Sequence, residues 1–376
     1  QSLRKVNFEG NNILSLSQNI SSLKNLNEIN LSFNKNIDLK TSFHALSSCP
    51  IKRISLKYLS EKDIPKELGL LNSLKELYLT GTYINELPDE LGSLNQLEIL
   101  EIGFDKNNGK RLNLSKIPSS FGKLKALTTL SIIGANLEVL PKTLNGLESL
   151  KILDLSWNKL DKVPAFIESL NHLSFLSLEK NMISEIPEWI GSNTNLEVLI
   201  LNGDFVLSSK NKISQIPNSI GKLKKLKVLK LNDNIIKSLP IEILDLKGLE
   251  ILFLRNNIIS TLPNSIHELS SLKSLDIMAN ELKEVPKNFS KLSNLKMLNI
   301  AFNPAINFKL ALSILNDLQN LSVIDLSRNY IDKSWLSSYK ENHPTTKVIF
   351  TPLDQYLDVM PPQHIIKKLN EDLKSD

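Results

Sequence analysis

Cysteine is all but missing from this chain of 376 residues. Cys49 stands alone, so no internal disulfide can form, and the paired-cysteine caps of many secreted repeat proteins are excluded. A lone thiol suits a reducing compartment or a bacterial surface. Long apolar runs are missing too, which excludes a membrane-spanning helix by length alone. Histidine is sparse: His44, His172, His267, His343 and His364 lie far apart without ligand spacing, so no metal site is expected. Strong charge of either sign is lacking. The net charge of +5 comes from lysines spread along the chain rather than gathered into an arm, and nucleic acid is not implied as a partner. The chain opens on Gln1 without a signal-peptide pattern, so it reads as a processed product or a piece of a longer protein.

What the sequence does contain is one pattern repeated from end to end. Leu150 to His172 reads LxxLxLxxNxLxxVPxxIxxLxx, and the unit recurs about fourteen times from Leu3 onwards, mostly at a spacing of 23 residues. A continuous repeat of this kind overrides length as a guide to domain number, so residues 1–331 are expected to form one repeat domain and 332–376 a C-terminal cap and tail. The LxxLxL portion alternates, as in Leu153, Asp154 and Leu155, which predicts a short strand with leucines inward and intervening side chains outward. Three places after the last strand leucine comes asparagine, at Asn11, Asn34, Asn158, Asn181, Asn234, Asn257, Asn280, Asn303 and Asn329. Asparagine both donates and accepts, so an inward column of them can satisfy the turn backbone of neighbouring repeats. Leu59, Thr82 and Ala135 break that column. Proline in the second half, as at Pro65, Pro164 and Pro240, predicts an extended return path followed by a short helical or 3-10 turn. Glycines at Gly69, Gly92, Gly122, Gly191 and Gly221 are expected to end that turn.

These motifs resemble the leucine-rich-repeat family, in its 23-residue LPxxIGxL class, and are similar to bacterial leucine-rich-repeat proteins and to intracellular Ras-suppressor and Shoc-type proteins. The resemblance covers residues 3–331. It implies an α/β fold: a right-handed solenoid curved into an arc, with a parallel β-sheet on the concave face and short helical or 3-10 segments on the convex face. It also implies recognition of a protein or peptide partner rather than catalysis.

Departures from the repeat carry the functional information. Insertions at residues 103–113 and 202–211 lengthen two units and enter just after their strands. Asp105, Asn107 and Gly109 in the first lack the later glycine and glutamate of a calcium loop. FNPAINFKLALSILNDL, from Phe302, lacks the proline and predicts a fuller helix. After Ile331 the pattern decays into WLSSY, a strand-like KVIFT, a turn at Pro361 and Pro362, and a predicted helix from His364 to Lys374. The first unit has no evident cap, so further sequence is expected upstream.

The candidate binding residues follow from the outward strand positions. Two places after the first leucine, the early repeats carry Lys5, Glu28, Arg53 and Glu76, whereas later ones carry Ile99, Thr129, Ile152, Phe175, Val198, Val228 and Ile251. Ile200 and Phe253 join them four places in, and an exposed apolar patch of this kind marks a recognition surface. Trp157 and Phe104 are aromatic anchors seven places in, and Phe205 lies in the second insertion. The lysines at Lys222, Lys224, Lys225, Lys227 and Lys230 read as solvated turn charge. No catalytic residue or cofactor is expected. The leading reading is a monomeric, non-enzymatic module that binds a protein or peptide. Two others stay open: the sensing arm of a larger GTPase, kinase or ligase, and a surface adhesin holding sugars through Asp154, Glu179, Asn202, Asp276 and Trp157. An abundance of lysine, asparagine and isoleucine fits a bacterial source with an AT-rich genome.

Overall fold

The computed structural model describes residues 2–60, 62–104, 112–204 and 211–352. The chain divides into two compact units, Gln1–Met182 and Ile183–Asp376. The first unit carries strands β1 (Lys5–Asn7), β2 (Glu28–Asn30), β3 (Arg53–Ser55), β4 (Glu76–Thr80), β5 (Ile99–Gly103), β6 (Thr129–Ile133), β7 (Ile152–Asp154) and β8 (Phe175–Ser177). The second carries β9 (Val198–Ile200), β10 (Val228–Lys230), β11 (Ile251–Phe253), β12 (Ser274–Asp276), β13 (Met297–Asn299), β14 (Val323–Asp325) and β15 (Lys347–Ile349). Within each unit every strand pairs in parallel with the next, in a register that superimposes the repeats: Thr129 meets Ile152, and Val228 meets Ile251. Each unit is therefore a solenoid with a parallel sheet on one face and 3-10 turns on the other.

The strand alternation predicted from LxxLxL holds throughout. Leu153, Leu176, Leu229, Leu252 and Leu275 are wholly buried, and their strand neighbours face outward. Each buried leucine contributes roughly 1.5–3 kcal/mol before entropy is subtracted. Prolines open the return turns: Pro65 (φ −68°, ψ 148°) and Pro240 (φ −66°, ψ 152°) keep extended geometry, and their carbonyls accept from Leu68 and Ile243. The glycines do something other than end the turn. They lie inside the 3-10 segments with no positive φ, and a Cβ at Gly221 would stand 2.6 Å from the Glu242 carbonyl of the next turn. Glycine is required by the close stacking of successive turns rather than by a left-handed cap.

Asparagine forms the inner spine. Asn257 is wholly buried; its Nδ2 donates to the carbonyls of Leu231 (3.0 Å) and Leu254 (2.9 Å), and its Oδ1 accepts from Ile236 N–H at 3.0 Å. Asn34, Asn158, Asn181, Asn234, Asn280 and Asn303 repeat this geometry, each tying its own strand end to the previous repeat. Asn11 departs from the column: it is exposed, and its amide reaches only the Glu9 carbonyl beside it. Conversely, Asn211 joins it. The insertion before it shifts it out of sequence register, yet it is buried and accepts from Ile183 N–H at 2.9 Å. Thr82 replaces one of the bonds, donating to the Leu79 carbonyl at 2.8 Å.

Among the described residues three return paths are α-helical: α1 (Leu39–Leu46), α2 (Phe308–Leu315) and α3 (Lys333–Asn342). The second is the helix expected from its apolar spacing. Asp38 and Asn307 cap α1 and α2 by accepting from the third residue inside. WLSSY falls in α3, and KVIFT supplies β15, which continues the sheet beyond β14 through Leu326 N–H to the Ile349 carbonyl at 2.9 Å. Most of both insertions, the calcium-like string and the expected tail helix lie outside the described residues.

Replacing Asn257 by alanine leaves the buried Ile236 N–H without a partner and takes one of two donors from the Leu231 and Leu254 carbonyls, which keep Asn234 and Asn280, and is expected to cost about 1–3 kcal/mol. Asn11→Ala, at an exposed position, is expected to change stability by less than about 0.5 kcal/mol. Urea midpoints of the two variants check the contrast.

Candidate binding surface

The outward side chains of the sheet form columns, because the register aligns equivalent positions. On β1 to β4 the column two places into each repeat is a ladder of alternating charge. Lys5 pairs with Glu28 at 2.9 Å, and Arg53 pairs with Glu28 at 3.5 Å and with both Glu76 oxygens at 2.5 and 2.7 Å. Tyr78 donates to Glu76 at 2.8 Å. The Arg53 guanidinium holds the Glu76 carboxyl below its ordinary value, while burial, aided by Glu76, pushes Tyr78 up to about 12. Lys5, Arg53 and Tyr78 line a shallow hollow of about 700 Å³ together with Lys57, whose ammonium stands 5.1 Å from the Tyr78 ring centroid.

Further along, the same column turns apolar and loses its ion pairs. In the first unit Ile99, Thr129, Ile152 and Phe175 lie in consecutive register, with Ile152 the most exposed at 40% and the others half-buried. In the second unit Val198, Val228 and Ile251 form one column; Ile200 and Phe253 flank Lys230 in the next, with the ammonium 5.4 Å from the Phe253 ring centroid. All are half-buried. The apolar candidates thus stand on the sheet face of each unit.

Trp157 sits where the chain leaves β7. Its φ of 62° is left-handed, as is that of Phe33, Tyr58, Lys180, Asp233, Asn256 and Phe302 at the equivalent place. Glycine holds this place at Gly81 and Gly134, and the alternation has a steric reason: a Cβ on Gly134 would collide with the Phe104 ring. Phe104 thereby lies across Gly134 to meet Trp157, ring centroids 5.5 Å apart, and the Lys180 ammonium stands 3.8 Å from the Trp157 centroid. Phe104 is only 6% exposed, so it supports Trp157 rather than facing a partner. Phe205 lies outside the described residues.

The polar candidates divide by what already engages them. Asp154 Oδ1 accepts from Ser156 N–H at 2.9 Å, Asp276 Oδ1 from Met278 N–H at 3.1 Å, and Asn202 Oδ1 from Asn232 N–H at 3.0 Å. The two aspartates close a local turn at the strand end, whereas Asn202 bonds the next repeat. In the lysine group, Lys224 pairs with Asp245 at 3.0 Å and Lys227 with Glu197 at 2.7 Å, and Lys225 donates to Asn195 at 2.6 Å, so most of its charge is engaged at the surface. Cys49 is buried with its thiol against the Ile20 carbonyl at 3.3 Å. Among the described residues no cluster of histidine, cysteine and carboxylates could hold a metal ion, and no helix is long and apolar enough to cross a membrane.

Two features of this face were not anticipated from the sequence. One is the self-neutralised Arg53–Glu76 ladder; its signal is the alternation Lys5, Glu28, Arg53, Glu76 at repeat spacing. The other is a row on β12 to β14, where Asp276, Asn299 and Asp325 align in register beside the apolar residues of β11. Its signal was the acidic or amide residue four places into each of those repeats.

A stacked parallel sheet with an asparagine spine and variable outward columns defines a repeat solenoid. More particularly, its repeats are leucine-rich repeats: the family described as leucine-rich repeat region matches residues 205–344, and the leucine-rich repeat itself matches 149–170. Among solved structures it is similar to a leucine-rich-repeat protein of Leptospira interrogans, 24% identical over 93% of this chain and 96% of that one, with a TM-score of 0.76. It is similar to an internalin of Listeria monocytogenes, 21% identical over 93% of this chain and 86% of that one, TM-score 0.66. TLR13 in complex with ssRNA13 is 22% identical over 96% of this chain and 55% of that one, also with a TM-score of 0.66. Curated proteins offer no sequence match.

The charge ladder gives a pH dependence of known sign. Glu76 has its folded pKa depressed, so its contribution is present above the ordinary carboxylate range and is lost as pH falls through the folded value. The stability difference between the native chain and Glu76→Gln is expected to be constant near neutrality and to shrink below about pH 4. Urea titrations across that range measure it.

Proposed function

We propose that the chain is a non-catalytic binding module that takes a protein or peptide on the outward face of its sheet. The observation that supports this reading is the change along one column, from the ion-paired Lys5, Glu28, Arg53 and Glu76 to unpaired apolar side chains. Ladder charges that satisfy each other give a partner little to gain. Half-exposed isoleucine, valine and phenylalanine gain from losing water, at about 25 cal/mol per Å² of apolar surface covered. Ile152, Phe175 and Trp157 would serve a partner on the first unit, and Val198, Ile200, Val228, Ile251 and Phe253 one on the second. The family fold is generally used for interaction rather than catalysis, which agrees with this assignment.

Partners captured by the intact chain are expected to lose at least about tenfold in affinity when Phe175, Ile200 and Phe253 are changed together to serine, as befits central interface residues. Titration of a captured partner against both proteins tests this. Equal affinity at an equal melting temperature would remove the patch as the site.

A further inference from the structure

The second unit's sheet face changes character again after Phe253. In register with that ring come Asp276, Asn299, Asp325 and Ile349, so an acid–amide–acid row is closed at both ends by apolar side chains. The column beside it carries Ile251, Ser274, Met297 and Val323, with Met297 37% exposed. Each carboxylate uses one oxygen on the N–H two residues ahead, Asp276 on Met278 at 3.1 Å and Asp325 on Ser327 at 2.9 Å. Neither has a cation within 4.0 Å among the described residues. The Arg255 guanidinium leans instead towards Asp233, at 4.0 Å.

Burial holds the Asp276 carboxyl above its ordinary value, and Asp325 and Asp233 add to that effect against Arg255. Beside it, Ser274 is only 9% exposed, and its Oγ is buried without a hydrogen-bond partner although its strand position faces outward. Unmet acceptors in an apolar frame ask for a donor that carries positive charge and an apolar stem. A metal ion fails this description, because oxygen ligands stand about 2.0–2.6 Å from a divalent cation, whereas two strand spacings separate Asp276 from Asp325 by about 9.6 Å. A phosphate backbone fails it on sign.

We infer that the second unit's sheet face recognises a peptide segment in which an arginine or lysine, set between Asp276 and Asp325 over Asn299, follows apolar residues seated on Val198, Val228, Ile251 and Phe253. The inference rests on the binding-module reading and adds the partner's chemistry to it. The methylene stem packs on Met297 and Val323 while the cationic head reaches the free carboxylate oxygens. Arginine fits better than lysine, since its several N–H groups can address two carboxylates together.

The test selects displayed random peptides, of about twelve residues, on the immobilised full chain, a length that spans several strands when extended. Recovered peptides are then titrated against the native chain, against Phe253→Ser, and against the double variant Asp276→Asn with Asp325→Asn. Asparagine keeps the turn-closing oxygen at both places, and equal thermal melts establish that the double variant is folded. The expected peptides carry arginine or lysine beside apolar residues, weaken with added salt, and bind the double variant at least about tenfold more weakly. Peptides that lose affinity on Phe253→Ser but bind the double variant unchanged overturn the cationic assignment and leave the apolar surface standing. Peptides indifferent to both changes overturn the assignment and the binding-module reading for this unit together.

Discussion

The buried asparagine amide is the interaction on which the rest of this structure depends. A strand of three residues cannot end in a tight turn inside a solenoid without exposing carbonyl and N–H groups to an apolar interior, where an unpaired group costs about 1–3 kcal/mol. Asn257 shows the solution: two bonds donated and one accepted, shared between two repeats. Because each amide serves the repeat before it, the repeats are bound to a common register. That register sets the outward columns, and the columns make the candidate surface.

The left-handed turn residue is the second constraint, and it connects the scaffold to the surface. Tight exit from the strand takes positive φ at one place in most repeats, which glycine, asparagine and aspartate adopt at low cost. Here aromatic residues occupy several of these places, and each such ring needs room. Phe33 stacks on Tyr58 with centroids 4.3 Å apart, Gly81 leaves the next place open for Tyr58, and Gly134 does so for Phe104 beside Trp157. The aromatic ridge is therefore a product of turn geometry. Trp157, with Lys180 over it, combines that geometry with a position next to the apolar strand residues Ile152 and Phe175.

The fold was legible because its causes are local and repeated: leucine alternation, the asparagine column and the proline return each recur with a fixed spacing. What sequence reading misassigned were residues whose role depends on neighbours one repeat away. Gly221 was expected to end a turn, but the Glu242 carbonyl above it demands the missing side chain. Asn211 was hidden by an insertion, and Asn11, which fits the pattern, is exposed and bonds the Glu9 carbonyl beside it. Of the candidate site, the apolar columns could be read from spacing alone. Phe104's burial could not, because it follows from an absent Cβ at Gly134, some distance along the chain. Likewise, the contrast between satisfied and unsatisfied charge, Arg53 with Glu76 against Asp276 and Asp325, needs side-chain distances that spacing does not supply.

The central claim is that recognition occurs on the sheet face where its columns turn apolar, and the 3-10 face provides an internal control. Ile241 and Val139 on that side are well exposed, so they report solvent access as readily as Phe253 and Met297 do on the sheet. Hydroxyl-radical footprinting of the full chain, free and with a bound partner, compares the two directly. Phe253, Met297 and Ile200 are expected to become protected while Ile241 and Val139 react as before. Protection confined to Ile241 and Val139, with the sheet residues unchanged, would contradict it.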